Sequence, residues 1–146
     1  HFGHIFVVMG LLLQGGKRGA VSGTLGLTIF DMLNGYMQDA PKTFVETALK
    51  CLIVGALFMM LKKKTAGDKK KEYGAAMICA VVYGCINVIM EFIMGTISMM
   101  IMGSGFAAAA VGAFTSLPAT VINAVFMVIA IAVLYQPVKK IYVRMA

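Results

Sequence analysis

Apolar residues in this chain run in long blocks, and the polar residues between them fall into short clusters. Residues 2–13 form a first block, which stops at Gln14-Gly15-Gly16-Lys17-Arg18-Gly19, a polar, glycine-rich turn with two cations. A second block covers residues 20–36, interrupted by small polar residues and Asp31. Met37-Gln38-Asp39-Ala40-Pro41 ends it, because proline disfavours helical geometry in the residue before it. Residues 42–61 form the next block, followed by a hydrophilic hinge at 62–72 and a block at 73–94 that breaks near Gly95. Residues 96–117 are apolar but rich in glycine, alanine and serine, which suggests a short helix with a re-entrant or loosely helical part. Pro118 opens the last block, 118–135, in a helix's first turn, where a missing N–H costs little. Pro137 and a basic tail close it.

A spanning helix needs about 20 mostly apolar residues. Residues 20–36, 42–61, 73–94 and 118–135 meet or approach that length, whereas 2–13 is a short or truncated helix. The expected fold is an all-α membrane protein, one transmembrane domain over residues 1–146. The first block starts abruptly at His1 without a methionine. One further helix is therefore expected before it, for a compact bundle of about six spans.

Composition supports the membrane reading. Hydrophobic residues make up 60% of the chain and charged ones 13%, about half the charged fraction usual in a soluble domain. Eleven of the thirteen basic residues behind the net charge of +7 cluster between apolar blocks rather than spread as a nucleic-acid-binding face. Lys17 and Arg18, Lys62 to Lys64 with Lys69 to Lys71, and Lys139, Lys140 and Arg144 all fall on one side if the spans alternate. The positive-inside rule makes that side cytoplasmic. Cys51, Cys79 and Cys85 lie in apolar blocks without a CxxC pair, and read as small buried hydrophobes rather than disulfide or zinc ligands.

Charged groups inside spans are costly, about 2.5–3.5 kcal/mol each at the bilayer centre. Asp31, Glu46, Lys50 and Glu91 lie within predicted spans, and Glu46 and Lys50 are spaced to pair on one helix face. Asn87, one turn before Glu91, and Asn123 fall at similar depth toward the outer side. This pattern fits a polar pocket open to the exterior, or a set of interhelical hydrogen bonds that hold the bundle together. His1 and His4 would sit at the same outer mouth, but with no third ligand in view no metal is expected. Gly15, Gly19 and Gly23, like Ala76, Ala80 and Gly84, form small-residue ladders that let helices approach closely, within the bundle or against a partner. No Walker A, GxSxG or HExxH sequence is present, so neither ATP hydrolysis nor enzyme chemistry is expected of this chain. The halves do not repeat, unlike carriers built on inverted repeats.

His1-Phe2-Gly3, Gly15-Gly16 with its basic turn, Phe30-Asp31-Met32-Leu33-Asn34-Gly35-Tyr36, Ala40-Pro41-Lys42-Thr43-Phe44, Lys50, and Leu117-Pro118-Ala119-Thr120 with Asn123 resemble one family. It is the substrate-binding S components of energy-coupling factor (ECF) transporters, in the riboflavin-transporter-like branch. His4 departs from it, since asparagine is expected after the His-Phe-Gly start. The resemblance implies a multi-pass subunit of the prokaryotic cell membrane that captures a water-soluble vitamin or precursor. Pyridoxine or a hydroxymethylpyrimidine-like compound is favoured, with pantothenate, riboflavin and folate as alternatives. It implies His4, Asp31, Tyr36, Lys50, Asn87, Glu91 and Asn123 as substrate-binding residues, and Gly15, Gly19 and Gly23 as contacts to a transmembrane coupling subunit (EcfT-like). It also implies two cytoplasmic ATPases (EcfA-like) that carry ATP and magnesium, with no cofactor on this chain. A stand-alone carrier coupled to ions through Asp31 and Glu91, or a structural subunit of a membrane complex, would also fit the polar cluster.

Overall fold

The computed structural model describes residues 2–146. These form five helices: α1 (Gly3–Gln14), α2 (Gly16–Leu33), α3 (Ala40–Lys64), α4 (Lys69–Ile101) and α5 (Phe106–Met145). There is no strand among the described residues. Three of them, α3, α4 and α5, are long and apolar enough to cross a membrane, and α1 is a shorter apolar helix. With 18 residues, α2 reaches about 27 Å, close to the thickness of a bilayer's hydrocarbon core.

Neighbours in sequence pack as neighbours in space from α1 to α5, and α1 touches all four other helices. The short first block is thus the element around which the rest closes. Its Val7, Val8, Leu11 and Leu12 are buried together with Cys51, Val54 and Phe58 of α3, Ala76, Cys79 and Tyr83 of α4, and Met127 and Ile131 of α5. The outward faces are equally apolar, with Ile29, Leu52, Ile53, Ile89, Ile122 and Val133 all exposed. Helices that are apolar on both faces belong in lipid. The chain is an integral, multi-pass membrane protein.

Several boundaries differ from the sequence expectation. No break occurs at Gly95, and residues 96–117 hold no re-entrant segment. Instead α4 runs through to Ile101, the chain reverses at residues 102–105, and α5 begins at Phe106. Gly95 serves close packing, since a Cβ there would lie 3.4 Å from the Cβ of Ala113. The reversal is set by Gly103, whose φ of 97° suits glycine. Ser104 N–H donates to the Met99 carbonyl at 3.0 Å, closing α4 with a Schellman motif. Pro118 lies inside α5 rather than at its start. Two hydroxyls in the turn before it bond back to carbonyls of the same helix: Thr115 donates to Gly112 and Ser116 to Ala113. The hydrophilic hinge is mostly helical too, with only residues 65–68 outside α3 and α4.

The turn expected over residues 14–19 contracts to Gly15, at φ 74°, and Lys17 and Arg18 enter the first turn of α2. Gly19 and Gly23 face α1: a Cβ on Gly19 would come within 2.5 Å of the Leu11 Cα, and one on Gly23 within 2.9 Å of Val7. Both are buried. α1 therefore covers both of them within the bundle. Gly84 is likewise packed, against Ala124 and Met127 of α5.

All basic clusters fall at one end of the bundle. Glu72 at the start of α4 meets Lys62 at the end of α3 (4.0 Å) and Lys139 near the end of α5 (2.6 Å). That end is cytoplasmic by the positive-inside rule. Cys51 and Cys79 are buried as expected, but Cys85 is exposed on the lipid-facing side of α4. A membrane-permeant maleimide is expected to label Cys85 in the folded protein and to leave the other two unmodified until denaturation. Mass mapping of the labelled peptides checks this.

Candidate functional site

The costly polar groups of the bundle converge. Lys42, Glu46 and Lys50 occupy successive turns of one face of α3 as an alternating ladder of charge. Glu46 and Lys50 are 4% and 1% exposed, so each charge needs a partner. Lys50 Nζ donates to Asn87 Oδ1 of α4 at 2.7 Å and to Glu46 Oε2 at 3.4 Å. It also lies 5.9 Å from the centre of the Tyr83 ring. Lys42, higher on the ladder, pairs with Glu46 at 3.7 Å and bridges to Glu91 of α4 at 3.3 Å. The two helices are thus stitched by two cation-to-α4 contacts one above the other.

Asp31, at the end of α2, accepts a 2.6 Å hydrogen bond from Thr43 of α3. Its position follows from how α2 stops. Gly35 takes a φ of 86°, and Tyr36 N–H returns to the Asp31 carbonyl at 2.8 Å, a Schellman closure that leaves Tyr36 on the outer loop. From α1, His4 Nδ1 meets the Tyr83 hydroxyl at 3.1 Å. His1 lies outside the described residues, so its pairing with His4 does too. Among the described residues no group of three His, Cys, Asp or Glu side chains has metal-binding geometry.

These groups line one cavity of about 290 Å³. Its walls include His4 of α1, Asp31 of α2, Tyr36 of the outer loop, Lys50 of α3, Asn87 and Glu91 of α4, and Asn123 of α5. All seven residues expected from the sequence therefore share one space. Sequence reasoning missed further lining: Asp39, Lys42, Thr43, Thr47, Ser116 and Thr120. Lys42 had a readable signal, its spacing of four from Glu46, but it lay at the edge of a predicted span. Ser116 had none, because the segment before Pro118 was not expected to be regular helix.

The lining is strongly polar and incompletely satisfied. Four carboxylates (Asp31, Asp39, Glu46, Glu91) face two ammonium groups (Lys42, Lys50). Asp31 Oδ1, Glu46 Oε1 and Thr47 Oγ1 are buried without a hydrogen-bond partner. Buried polar atoms that lack partners cost free energy unless water or a ligand supplies them. A larger groove of about 750 Å³ runs between α1 and α2, but its lining, including Phe2, Phe6, Val7, Leu27 and Phe30, carries no charged side chain. Chemistry therefore places the candidate site in the smaller space.

The family model of the ECF-type riboflavin transporter S component matches residues 1–140. The chain belongs to this family. Nothing among curated proteins or solved structures matches it. An S component is the substrate-binding membrane subunit of an ECF transporter, and the family is one of transporters rather than enzymes. The apolar outer faces and the spanning helices of this S component accord with that place in the membrane.

Proposed function

We propose that this S component binds a small, polar, nitrogen-heterocyclic vitamin or precursor in the cavity between its helices. Pyridoxine or a hydroxymethylpyrimidine-like compound fits best. The observation that carries this reading is the cavity itself: about 290 Å³, built from all five helices and lined by hydrogen-bonding groups. That volume lies near the lower limit for small-molecule sites. The lining favours neutral or cationic ligands, since its carboxylates outnumber its ammonium groups, and so disfavours pantothenate and folate. Riboflavin would need a broad stacking surface for its three fused rings, whereas the aromatic side chains of the lining are His4 and Tyr36.

In this reading Asn87 and Lys50 form the floor, Asp31 and Glu46 offer acceptors, and Tyr36 with the Lys42–Glu91 bridge stands at the mouth. Asn123 completes the wall from α5. The transport cycle then requires an EcfT-like coupling subunit and two EcfA-like ATPases, which supply ATP and its magnesium. Copurification of tagged chain from its host is expected to bring down all three. If it repeatedly brings down none, the assembly reading fails while ligand binding stands as a separate question.

Substrate identity has its own test. Native mass spectrometry of protein purified without added ligand is expected to reveal a retained small molecule. Thermal shift in detergent should respond to pyridoxine or hydroxymethylpyrimidine, and stabilisation by riboflavin alone would refute the size argument. Asn87→Ala and Glu91→Ala should abolish that ligand shift while the unliganded protein still unfolds cooperatively. Loss of stability without loss of binding would mean that these residues are only interhelical glue.

A further inference from the structure

A second polar space lies at the opposite end of the bundle and has no part in the substrate cavity. It is a cleft of about 320 Å³ between the start of α4 and the last third of α5, lined by Lys69, Lys70, Tyr73, Tyr135, Gln136, Lys139 and Lys140. Its floor is aromatic: the Tyr73 and Tyr135 rings lie 6.4 Å apart. The Tyr73 hydroxyl donates to the Ala132 carbonyl at 2.9 Å, tying α4 to α5 just before Pro137. Lys139 is held over the Tyr135 ring at 5.8 Å by its ion pair with Glu72. One cation of the cleft is thereby neutralised. Lys69, Lys70 and Lys140 are exposed, and no ion pair engages them among the described residues.

Depth decides what such a cleft would meet. Tyrosines are enriched at headgroup level, where one end of the ring is apolar and the other wet. Tyr73, only partly buried, marks that level, with Tyr135, Cys79 and Ile131 buried in the core on one side and the lysines on the other. Basic pockets between helices on the cytoplasmic side suit anionic lipid headgroups. A lipid phosphate there would meet three unpaired ammonium groups, while its acyl chains would lie along the exposed apolar surface of Ile78, Val133 and Leu134.

We propose that this cleft binds the phosphate of an anionic phospholipid from the cytoplasmic leaflet. The site is independent of the substrate reading. It would fix the depth of α4 and α5, the two longest helices, in the bilayer.

The test is native mass spectrometry of the full chain titrated in detergent with phosphatidylglycerol or phosphatidylcholine. The wild type should retain phosphatidylglycerol in preference, and Lys69→Ala/Lys70→Ala/Lys140→Ala should lose about fivefold of that preference for each lysine removed. Lys63→Ala/Lys64→Ala/Lys71→Ala removes equal charge outside the cleft and should keep most of it. Equal loss in both triples would overturn the proposal in favour of diffuse surface attraction. Displacement of the lipid by millimolar inorganic phosphate would overturn the lipid source. So would a cleft triple that loses copurifying protein partners but retains the lipid. Should the triple not fold, the single variant Lys140→Glu at an exposed position must still weaken phosphatidylglycerol retention.

Discussion

Lys50→Ala is expected to destabilise the bundle by roughly 3–5 kcal/mol, the range for breaking one half of a buried ion pair. Lys50 is 1% exposed and holds Asn87 at 2.7 Å and Glu46 at 3.4 Å. Its removal leaves the Glu46 carboxylate buried, with Lys42 at 3.7 Å as its remaining cation. Water entering the cavity offsets part of the cost, so the lower end of the range is the better expectation. Thermal unfolding in detergent measures it. The paired change Lys50→Met/Glu46→Gln removes both charges together and should recover most of the lost stability. A binding site and a structural glue then separate cleanly: the double variant should fold yet fail to bind ligand. Were Lys50→Ala as stable as the wild type, Lys50 and Glu46 would have to be solvated rather than paired, and the cavity reading would lose its floor.

The residues at stake there are visible in the sequence. A carboxylate or ammonium within an apolar block is conspicuous because lipid penalises it. Asp31, Lys50, Asn87 and Glu91 could therefore be placed at one depth before any fold was known, and the cavity gathers them. The alternation of spans was legible for the same reason, since basic clusters mark one side. Turn positions were harder. Gly95 and Gly103 look alike in the sequence, yet Gly95 sits inside α4 against Ala113, while Gly103 adopts the positive φ that ends the helix. Only the partner helix distinguishes a glycine used for approach from one used for reversal. Pro118 is ambiguous in a similar way: it could open a helix, yet α5 runs through it. Gly19 and Gly23 form a close-contact stripe on α2, but nothing local in the sequence says which helix covers it.

Substitution along that stripe should therefore give graded results rather than uniform ones. Gly19→Ala is expected to destabilise by about 3 kcal/mol, the upper part of the range for overpacking. The new Cβ would meet the backbone of α1 at Leu11 Cα (2.5 Å) and the Gly10 carbonyl oxygen (2.8 Å), atoms that cannot rotate away. Gly23→Ala should cost less, since its nearest obstacle is a Val7 side-chain methyl at 2.9 Å, while the Val7 Cα stands at 3.5 Å. Gly26→Ala meets nothing within 4 Å. Alanine's better helix propensity, up to about 1 kcal/mol, should leave that variant neutral or slightly more stable. Unfolding midpoints of the three single variants, taken in one detergent, test the order. A Gly26→Ala as damaging as Gly19→Ala would mean that α1 does not cover α2 as described. The consequence reaches the substrate cavity, because α1 carries His4 to within 3.1 Å of the Tyr83 hydroxyl beside Lys50. Pushing α1 away from α2 should thus weaken ligand binding in Gly19→Ala, although Gly19 itself lies outside the cavity lining.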